Sequence, residues 1–379
     1  MDGRIRTLHR FSAWGGAHVQ TCINILRGMA EAGGDVHLDL TRTRVEMGAV
    51  PHAVSIGRPF ARFGLPRIEP RLQARTEARF LATLKEGEIA YLWPETSLSV
   101  FHEVARRGNP IVMEGINTRI ASARRILERV HAAEGLVFDD PSYSDARIAA
   151  EDEALSLARA FFAPAPGVEA AIAEPDSGFS GHVMPTSFGA WLPPADRIVP
   201  RTRPGPLRVL AAGSVDLRKN AQGLLRAWAR LAPKGATLVL AGGVTPAIAR
   251  LCAAELRRDD VEVMGHAGDM DAVYRAADIL VMPSFEEGGP QVQNEAAGYG
   301  IPVLASPMGG GRMAERTDAV HLFDPWDIDD IAGAIDLFLS DAARRADHAA
   351  RAREAAALFD WNVVGAERLA LLRAAPQAA

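Results

Sequence analysis

Ala277-Asp-Ile-Leu-Val-Met-Pro-Ser284 is an apolar run of strand length, and Phe285-Glu-Glu-Gly-Gly-Pro290 follows it directly. A helix-like run over 291–299 comes next. A short apolar strand that turns through glycine and proline into a helix is typical of a parallel α/β sheet. At such a turn, backbone amides and the positive end of the helix dipole favour phosphate binding.

The same alternation of short apolar runs and helical patterns extends outward from this stretch over the second half of the chain. Leu224, Leu225, Trp228 and Leu231 recur at the spacing of one buried helix face, and Asn220 is placed to cap that helix. The pattern predicts a parallel α/β domain. Its strands are predicted at 207–212, 237–241, 261–264, 278–283 and 302–305, and its helices at 220–231, 246–256, 270–276 and 291–299.

The first half begins in the same way, with a predicted strand at 5–9, a helix through Ile23 and a strand at 36–40. A further strand-like run lies at 136–138. Between 192 and 206 the chain is rich in proline, which lacks an amide donor and prevents both a helix and a central strand. Because 379 residues with 48% hydrophobic content exceed one core, two domains are expected.

Composition excludes several classes of protein. A net charge of -5 argues against general nucleic-acid binding, because a surface that follows phosphates is normally basic. The two cysteines, Cys22 and Cys252, have neither disulfide nor zinc spacing, which favours the reducing cytosol. The charged N-terminus is unlike a signal peptide, and no apolar run reaches the ~18 residues of a membrane span. We therefore expect a cytoplasmic protein that is soluble or peripheral to the inner face of a membrane.

Glu287 and Glu295 have seven residues between them and bracket the predicted strand-to-helix turn. Pro290 suits the first helical turn, and Gly288 and Gly289 allow a ligand to approach the backbone closely. Two glutamates at arbitrary spacing are more often surface residues. Here, however, Pro283-Ser284 precedes the pair and a glycine-rich series through Pro302-Val303 follows it.

The order and spacing of these residues resemble the hallmark of the retaining glycosyltransferases of family four. The resemblance implies that Glu287 orients the transferred sugar and that Glu295 holds the ribose of a nucleotide. Where the family usually has Gly-Phe-Gly-Leu, this chain has Gly288-Gly-Pro-Gln291. We expect Gly288, Gly289, Pro290 and Gln291 to contact the donor and to set the specificity for its sugar.

The resemblance is strong over 207–361 and looser before it, and it implies an α/β fold of the GT-B class. In that class two Rossmann-like domains face each other across a cleft. The expected boundaries are 1–195 for an acceptor-side domain, 196–206 for a linker and 207–359 for a donor-binding domain. The resemblance also implies that a final helix within 360–379 packs back on the first domain.

Gly213-Ser-Val-Asp-Leu-Arg-Lys-Asn220 joins the first strand of the second half to its helix. Arg218 and Lys219 at a helix N-terminus oppose the helix dipole, so a bound anion would account for them. The resemblance implies that these cations neutralise a donor diphosphate, with Gly213 and Ser214 beside it. Many family members have Arg where this chain has Ser214, so one phosphate contact is expected to differ.

In the first half, Gly15 and Gly16 follow the first predicted strand, where paired glycines let a phosphate or an acceptor touch backbone amides. Some family members carry a histidine on the acceptor side, and the comparable positions here are Asn117 and Arg119. Further arginines at 124, 125 and 129 give the helix that follows a basic amphipathic pattern. The pattern is compatible with acceptor phosphate or anionic lipid, although a solvated helix face is the simpler interpretation.

No metal site is expected. Asp269-Met-Asp271 has the Asp-x-Asp form of some metal-dependent transferases, but Asp269 is placed to cap a helix. His102-Glu103 lacks the second histidine of a zinc protease motif, and Asp139-Asp140 precedes a proline turn.

The resemblance implies a retaining, metal-independent glycosyltransferase of the kind that serves polysaccharide biosynthesis, with a nucleotide diphosphate sugar as donor and no cofactor. The expected acceptor is a glycan, a lipid-linked molecule or a small molecule, and no nucleic acid is expected as a partner. Two alternatives remain. The chain could be a GT-B epimerase or hydrolase of the nucleotide sugar, or a noncatalytic protein that binds it.

Overall fold

The structure is a computed structural model that describes residues 1, 3–13, 17–43, 47–56, 68–198 and 205–376. These residues form two parallel sheets, one in each half of the chain. Apolar cores lie on both faces of each sheet, as expected where strands are buried between layers of helices.

The first sheet has seven strands in the order β3-β2-β1-β4-β5-β6-β7. They are β1 (Ile5–Ala13), β2 (Val36–Thr43), β3 (His52–Val54), β4 (Ile89–Leu92), β5 (Ile111–Glu114), β6 (Ala160–Ala163) and β7 (His182–Pro185). The helices between them are α1 (Ala17–Glu31), α2 (Glu69–Thr83), α3 (Leu98–Arg106), α4 (Ile120–Ala133), α5 (Asp145–Leu157) and α6 (Pro166–Ile172).

The second sheet has six strands in the order β10-β9-β8-β11-β12-β13. They are β8 (Leu207–Ala212), β9 (Ala236–Ala241), β10 (Val261–Val263), β11 (Ile279–Met282), β12 (Val303–Ala305) and β13 (Val320–Leu322). The helices are α7 (Ala221–Leu231), α8 (Pro246–Leu251), α9 (Met270–Ala276), α10 (Gln291–Gly298), α11 (Pro307–Arg316), α12 (Ile328–Ser340), α13 (Ala342–Ala356) and α14 (Trp361–Ala374).

The last helix, α14, returns to the first half of the chain and packs against α1. Trp361 and Leu369 of α14 are buried in the same core as Ile23 of α1. The two helices touch at glycines. A Cβ added to Gly28 would lie 2.2 Å from the Trp361 carbonyl oxygen, and one added to Gly365 would lie 2.3 Å from the Gly28 carbonyl carbon.

Most of the elements predicted in the second half are present, including β8 and α9 with their predicted bounds and both predicted caps. The Asn220 side chain accepts from the Gly223 amide at the start of α7, and Asp269 accepts from the Ala272 amide at the start of α9. The helix predicted over 246–256 was too long. It ends at Leu251 and a separate 3-10 turn follows, because the backbone leaves the helical conformation at Cys252.

The strand predicted at 136–138 was wrong. This run is an irregular segment after α4, and the Val137 side chain is 87% exposed. The ring of Phe138 instead packs against His131 and Tyr143. The sequence pattern placed Phe138 in a sheet, but its ring packs in a local cluster of rings.

Candidate active site

The site lies where the strand order of the second sheet reverses, between its neighbouring strands β8 and β11. In open α/β sheets, ligands bind at this switch point, outside the carboxyl ends of the strands. The loop 213–220 follows β8 and the loop 283–290 follows β11. A crevice of about 30 Å³ separates the two loops, with Gly213, Ser214, Lys219 and Ser284 among its lining residues.

The first loop is held in a tight conformation by its glycines. Gly213 has a φ of 113°, a value that residues with a side chain rarely adopt. A Cβ on Gly242, at the end of β9, would lie 1.8 Å from the Gly213 carbonyl oxygen. The Lys219 amide donates to Asp216 Oδ1 at 2.8 Å, which fixes the turn that presents the Lys219 side chain.

Glu287 is buried and lies against both cations of the first loop. Its carboxylate pairs with the Lys219 ammonium, lies 3.5 Å from Arg218 Nη1 and accepts from Ser284 Oγ at 2.8 Å. Burial alone would raise the pKa of Glu287, but the two cations outweigh it and hold the pKa below its usual range. Glu287 is therefore an ionised carboxylate within the site.

Glu286 forms a second buried contact that joins the two domains. Its carboxylate accepts from the Thr118 amide at 3.1 Å and the Thr118 hydroxyl at 2.7 Å, and it pairs with Arg218 Nη1 at 3.1 Å. Arg218 Nη1 also donates to the Glu286 carbonyl oxygen at 3.0 Å. Burial opposes the charge of Arg218, but Glu287 and Glu286 raise its pKa above the ordinary value.

The two cations therefore already have anionic partners within the protein. Arg218 and Lys219 were expected to face a bound anion, and in the structure they face the carboxylates of Glu286 and Glu287. Binding of a diphosphate by the same cations stays a prediction. Such binding requires the phosphate oxygens to share or replace the carboxylates.

Glu295 lies on α10, beside Tyr274 of α9. The Tyr274 hydroxyl donates to its carboxylate, and the Tyr274 ring stacks on that of Tyr299 at 5.5 Å between centroids. Burial raises the pKa of Glu295, and the tyrosine hydrogen bond offsets part of this shift. The role of Glu295 as a ribose anchor stays a prediction.

The segment 288–291, expected to contact the donor, packs against the first domain in this structure. A Cβ on Gly288 would lie 1.9 Å from the Ile116 carbonyl oxygen, and one on Gly289 would lie 2.6 Å from the Phe188 ring. Pro290 is buried, and Gln291 Nε2 donates to Thr21 Oγ1 at 2.8 Å. The two glycines thus allow the domains to meet closely, in the space that was expected to admit a ligand.

The charge of Arg119 is already paired with carboxylates of the first domain. Its side chain is buried, and the guanidinium bonds Asp152 at 2.7 and 2.8 Å and Asp176 at 2.9 Å. Asn117 is exposed, at the edge where the first domain meets Gly288. Gly15 and Gly16 fall outside the described residues.

The remaining arginines of the predicted basic helix also have protein partners. Arg124 pairs with Asp145 at 2.6 Å, Arg125 pairs with Glu174, and the Arg129 guanidinium lies 4.0 Å from the centre of the Trp326 ring. The basic pattern of α4 is therefore explained by contacts within the protein. Within the described part of the chain, no helix has both the length and the apolar character needed to cross a membrane.

Sequence reasoning did not identify Glu286, Thr118 and Tyr274 as members of this region. Glu286 is adjacent to Glu287, and in a loop the sequence does not tell which of two neighbouring glutamates faces the cations. Thr118 and Tyr274 come from elements distant in sequence. Only the packing of the domains and of α9 on α10 brings them to the glutamates.

Comparison with solved structures assigns the class of fold. Sucrose-phosphate synthase from Thermosynechococcus elongatus superposes with a TM-score of 0.71 at 19% identity, covering 98% of both chains. Anabaena HepE, solved in complex with UDP and glucose, superposes with a TM-score of 0.67 at 16% identity, covering 98% of this chain and 100% of that one. The chain has the GT-B fold of two Rossmann-like domains.

The family match lies in the second half of the chain. Residues 206–341, which contain both loops of the site, match the family model "Glycosyl transferases group 1". D-inositol 3-phosphate glycosyltransferase from Xylanimonas cellulosilytica is 33% identical over 182 residues, which cover 42% of this chain and 40% of that protein. The chain spans less than half of the length of the curated relatives that it matches first. These matches support a transferase of sugars.

Proposed function

We propose that this chain is a glycosyltransferase that transfers a sugar from a nucleotide diphosphate sugar to a hydroxyl acceptor with retention of configuration and without a metal ion. The observation that carries the proposal is the meeting of Arg218, Lys219 and Glu287 at the switch point of the second sheet. The same segment matches the group 1 glycosyl transferases. The printed name of the Xylanimonas relative and the UDP and glucose bound to HepE are in keeping with such a donor.

In this proposal the cations act on the leaving group. When the bond between the anomeric carbon and the diphosphate oxygen breaks, the electron pair stays on that oxygen, and negative charge develops there. Arg218 and Lys219 are fixed in place beforehand, so they stabilise this charge with little reorganisation. The positive end of the α7 dipole adds to the same field.

The second role falls to the carboxylate of Glu287. Its carboxylate can accept hydrogen bonds from sugar hydroxyls while the diphosphate shares the two cations that keep it ionised. The acceptor hydroxyl attacks from the face that the diphosphate leaves, and its proton passes to a departing phosphate oxygen. Glu295 would bind the ribose. We place the reaction in the cytoplasm, in polysaccharide biosynthesis or a related pathway.

The test is release of nucleotide from UDP-, GDP- and ADP-glucose by the purified protein, with and without candidate acceptors. Glu287→Gln and Lys219→Ala are expected to lower turnover by about 10²-fold or more, as for loss of one preorganised electrostatic contact. Lys234→Ala, an exposed lysine of the same domain, serves as the matched control and is expected to retain full turnover. Unchanged turnover in both site variants would refute the assignment.

A folding artefact must be separated from loss of chemistry. Lys219→Ala leaves the buried Glu287 with one cation fewer, which itself destabilises the loop. The neutral double variant Lys219→Met/Glu287→Gln removes the pair together, and we expect it to unfold near the wild-type midpoint while remaining inactive. Release of free or rearranged sugar without an acceptor would instead identify a hydrolase or epimerase.

A further inference from the structure

Helices α9 and α10 of the second domain are joined by two tyrosine–carboxylate hydrogen bonds that run in opposite directions. The Tyr274 hydroxyl of α9 donates to Glu295 of α10. The Tyr299 hydroxyl, directly after α10, donates to Asp271 of α9. The two tyrosine rings stack, with 5.5 Å between their centroids and an angle of 28° between their planes. The two helices are therefore fixed against each other beside the Glu295 side chain.

The Tyr274 side chain is the rigid partner in its bond to Glu295. Tyr274 is buried, at 3% exposed, and packs in the core that also holds Val273 and Ala296. A ring packed in a core is held in one rotamer, so the position of its hydroxyl is defined. The carboxylate of Glu295 ends a longer side chain that is only half-buried. The tyrosine hydroxyl therefore sets the orientation of the carboxylate.

Glu295 differs from Glu287 in having no cation beside it. Within the residues that the structure describes, its charge is influenced by Tyr274 and by no lysine, arginine or histidine. Burial raises the pKa of Glu295, and the tyrosine hydrogen bond lowers it part of the way back. A carboxylate has about four lone-pair positions, so the bond from Tyr274 leaves others open to a ligand. Without the tyrosine hydroxyl, the carboxylate would be both less well oriented and more easily protonated.

The position of Glu295 suits the pentose of a nucleotide. α10 begins at Gln291, directly after the second loop of the site, and Glu295 lies four residues further on. Four residues correspond to about 6 Å along a helix axis. α9 begins in the same way after the loop that follows β10, at the edge of the sheet where ligands bind in such folds. Because the pentose is attached directly to the diphosphate, it would lie within this distance of phosphates held at the start of α10.

Resting on the proposed transferase function and on Glu295 as the contact to the ribose, we infer that Tyr274 is a positioning residue that makes the site select ribonucleotide donors over deoxyribonucleotide donors. Its hydroxyl holds one oxygen of Glu295, and the carboxylate accepts a hydrogen bond from a ribose hydroxyl. A deoxyribose that lacks this hydroxyl leaves the carboxylate without its ligand partner. Tyr274 does not touch the donor and acts through Glu295.

The experiment compares the affinities of ribonucleotide and deoxyribonucleotide donors. Isothermal titration calorimetry with UDP-, GDP- and ADP-glucose first identifies a donor that wild type binds. The 2′-deoxy and 3′-deoxy analogues of that donor are then titrated into wild type and into two variants. Wild type should bind at least one analogue about tenfold more weakly than the ribonucleotide donor, as for loss of a hydrogen bond to a charged group.

Tyr274→Phe keeps the stacked ring but removes the hydroxyl. We expect its affinity for the ribonucleotide donor to fall toward that of the deoxy analogue, while its affinity for the analogue stays near that of wild type. In turnover, KM for the ribonucleotide donor should rise and kcat should be retained, because a contact to the ribose acts alike on the bound donor and on the transition state.

Tyr299→Phe is the matched control. It loses the other tyrosine–carboxylate bond between the same two helices, but it removes no partner of Glu295. We expect it to keep the preference of wild type for the ribonucleotide donor.

The outcomes separate this inference from the proposed function. If none of the three donors binds to wild type, both are refuted. If a donor binds but wild type binds both deoxy analogues equally well, or if Tyr274→Phe weakens ribonucleotide and deoxy donors by the same factor, the inference alone is overturned. Loss of the preference in Tyr299→Phe as well would also overturn it, because the effect would then come from the packing of the helices and not from Glu295.

Discussion

Two neighbouring glutamates make different contacts at the candidate site. Glu287 faces Lys219, whereas Glu286 reaches across to Thr118 of the first domain while it holds Arg218. Both carboxylates are buried, and each has a cation beside it. A diphosphate that binds here would therefore have to exchange partners within this existing network.

Glu286 should contribute strongly to stability through this bridge. Glu286→Ala removes one carboxylate partner of Arg218 and the oxygen that accepts from both the Thr118 amide and the Thr118 hydroxyl, and we expect the free energy of unfolding to fall by about 3–5 kcal/mol. Glu286→Gln keeps an oxygen for Thr118 and should cost clearly less. Urea unfolding followed by circular dichroism measures both. An alanine variant within about 0.5 kcal/mol of wild type, the range of ordinary surface substitutions, would contradict the bridge.

Glu151 should impose a pH dependence on stability. Its pKa is raised from 4.5 to about 7 in the folded protein, so its favourable contribution is complete below pH 4.5 and is lost as pH rises to 7. We expect the free energy of unfolding of Glu151→Gln, relative to that of wild type, to rise by about 1–3 kcal/mol between pH 5 and pH 8. Glu153→Gln, an exposed residue on the same helix, should show no such gain. The same difference in the free energy of unfolding between wild type and Glu151→Gln at pH 5 and at pH 8 would contradict this prediction.

At the scale of elements, the crossing of α1 and α14 depends on small residues. A Cβ on Gly28 would approach the Trp361 carbonyl oxygen to 2.2 Å, and backbone atoms cannot move aside easily. Gly28→Ala should therefore lower the free energy of unfolding by about 1–3 kcal/mol through overpacking. The matched control is Gly333→Ala in α12, where nothing lies within 4 Å and stability should rise by about 0.5–1 kcal/mol. Equal effects at both positions would show that the helices do not meet as described.

The elements differ in how far the sequence predicts them. β11 was predicted well because Ile279–Met282 is buried throughout and its apolar run has few alternative structures. The strand predicted at 136–138 was wrong because a short apolar sequence does not reveal whether a neighbouring strand or a local ring cluster will pack against it. The contacts of Gly288 and Gly289 could not be predicted at all, since they depend on Ile116 and Phe188 of the other domain.

At the scale of the whole molecule, buried polar contacts hold the two domains together. Arg312 of α11 is 3% exposed and donates to the Thr186 carbonyl oxygen at 2.9 Å and to the Ala163 carbonyl oxygen at 3.1 Å. It also pairs with Glu169 at 2.5 Å. Asn294 Nδ2 donates to the Phe188 carbonyl oxygen at 2.9 Å. These contacts join the second domain to the first, whereas the crevice of about 30 Å³ between the site loops is lined by residues of the second domain.

Arg312 should therefore control how far the domains open. Arg312→Ala removes three contacts with the first domain, and we expect a larger radius of gyration by small-angle X-ray scattering. Arg351→Ala breaks pairs with Asp318 and Asp347 within the second domain and should leave the radius unchanged. A wild-type radius of gyration for Arg312→Ala would contradict the prediction that this residue holds the two domains together.

Binding of the donor to the second domain tests the account most directly. Isothermal titration calorimetry with UDP-, GDP- and ADP-glucose should show binding of at least one of them to the wild-type protein. The neutral double variant Lys219→Met/Glu287→Gln should bind that donor at least about tenfold more weakly, because the pair of cations beside the diphosphate is reduced to Arg218. Equal affinity in the two proteins, or no binding of any of the three donors to wild type, would contradict the account.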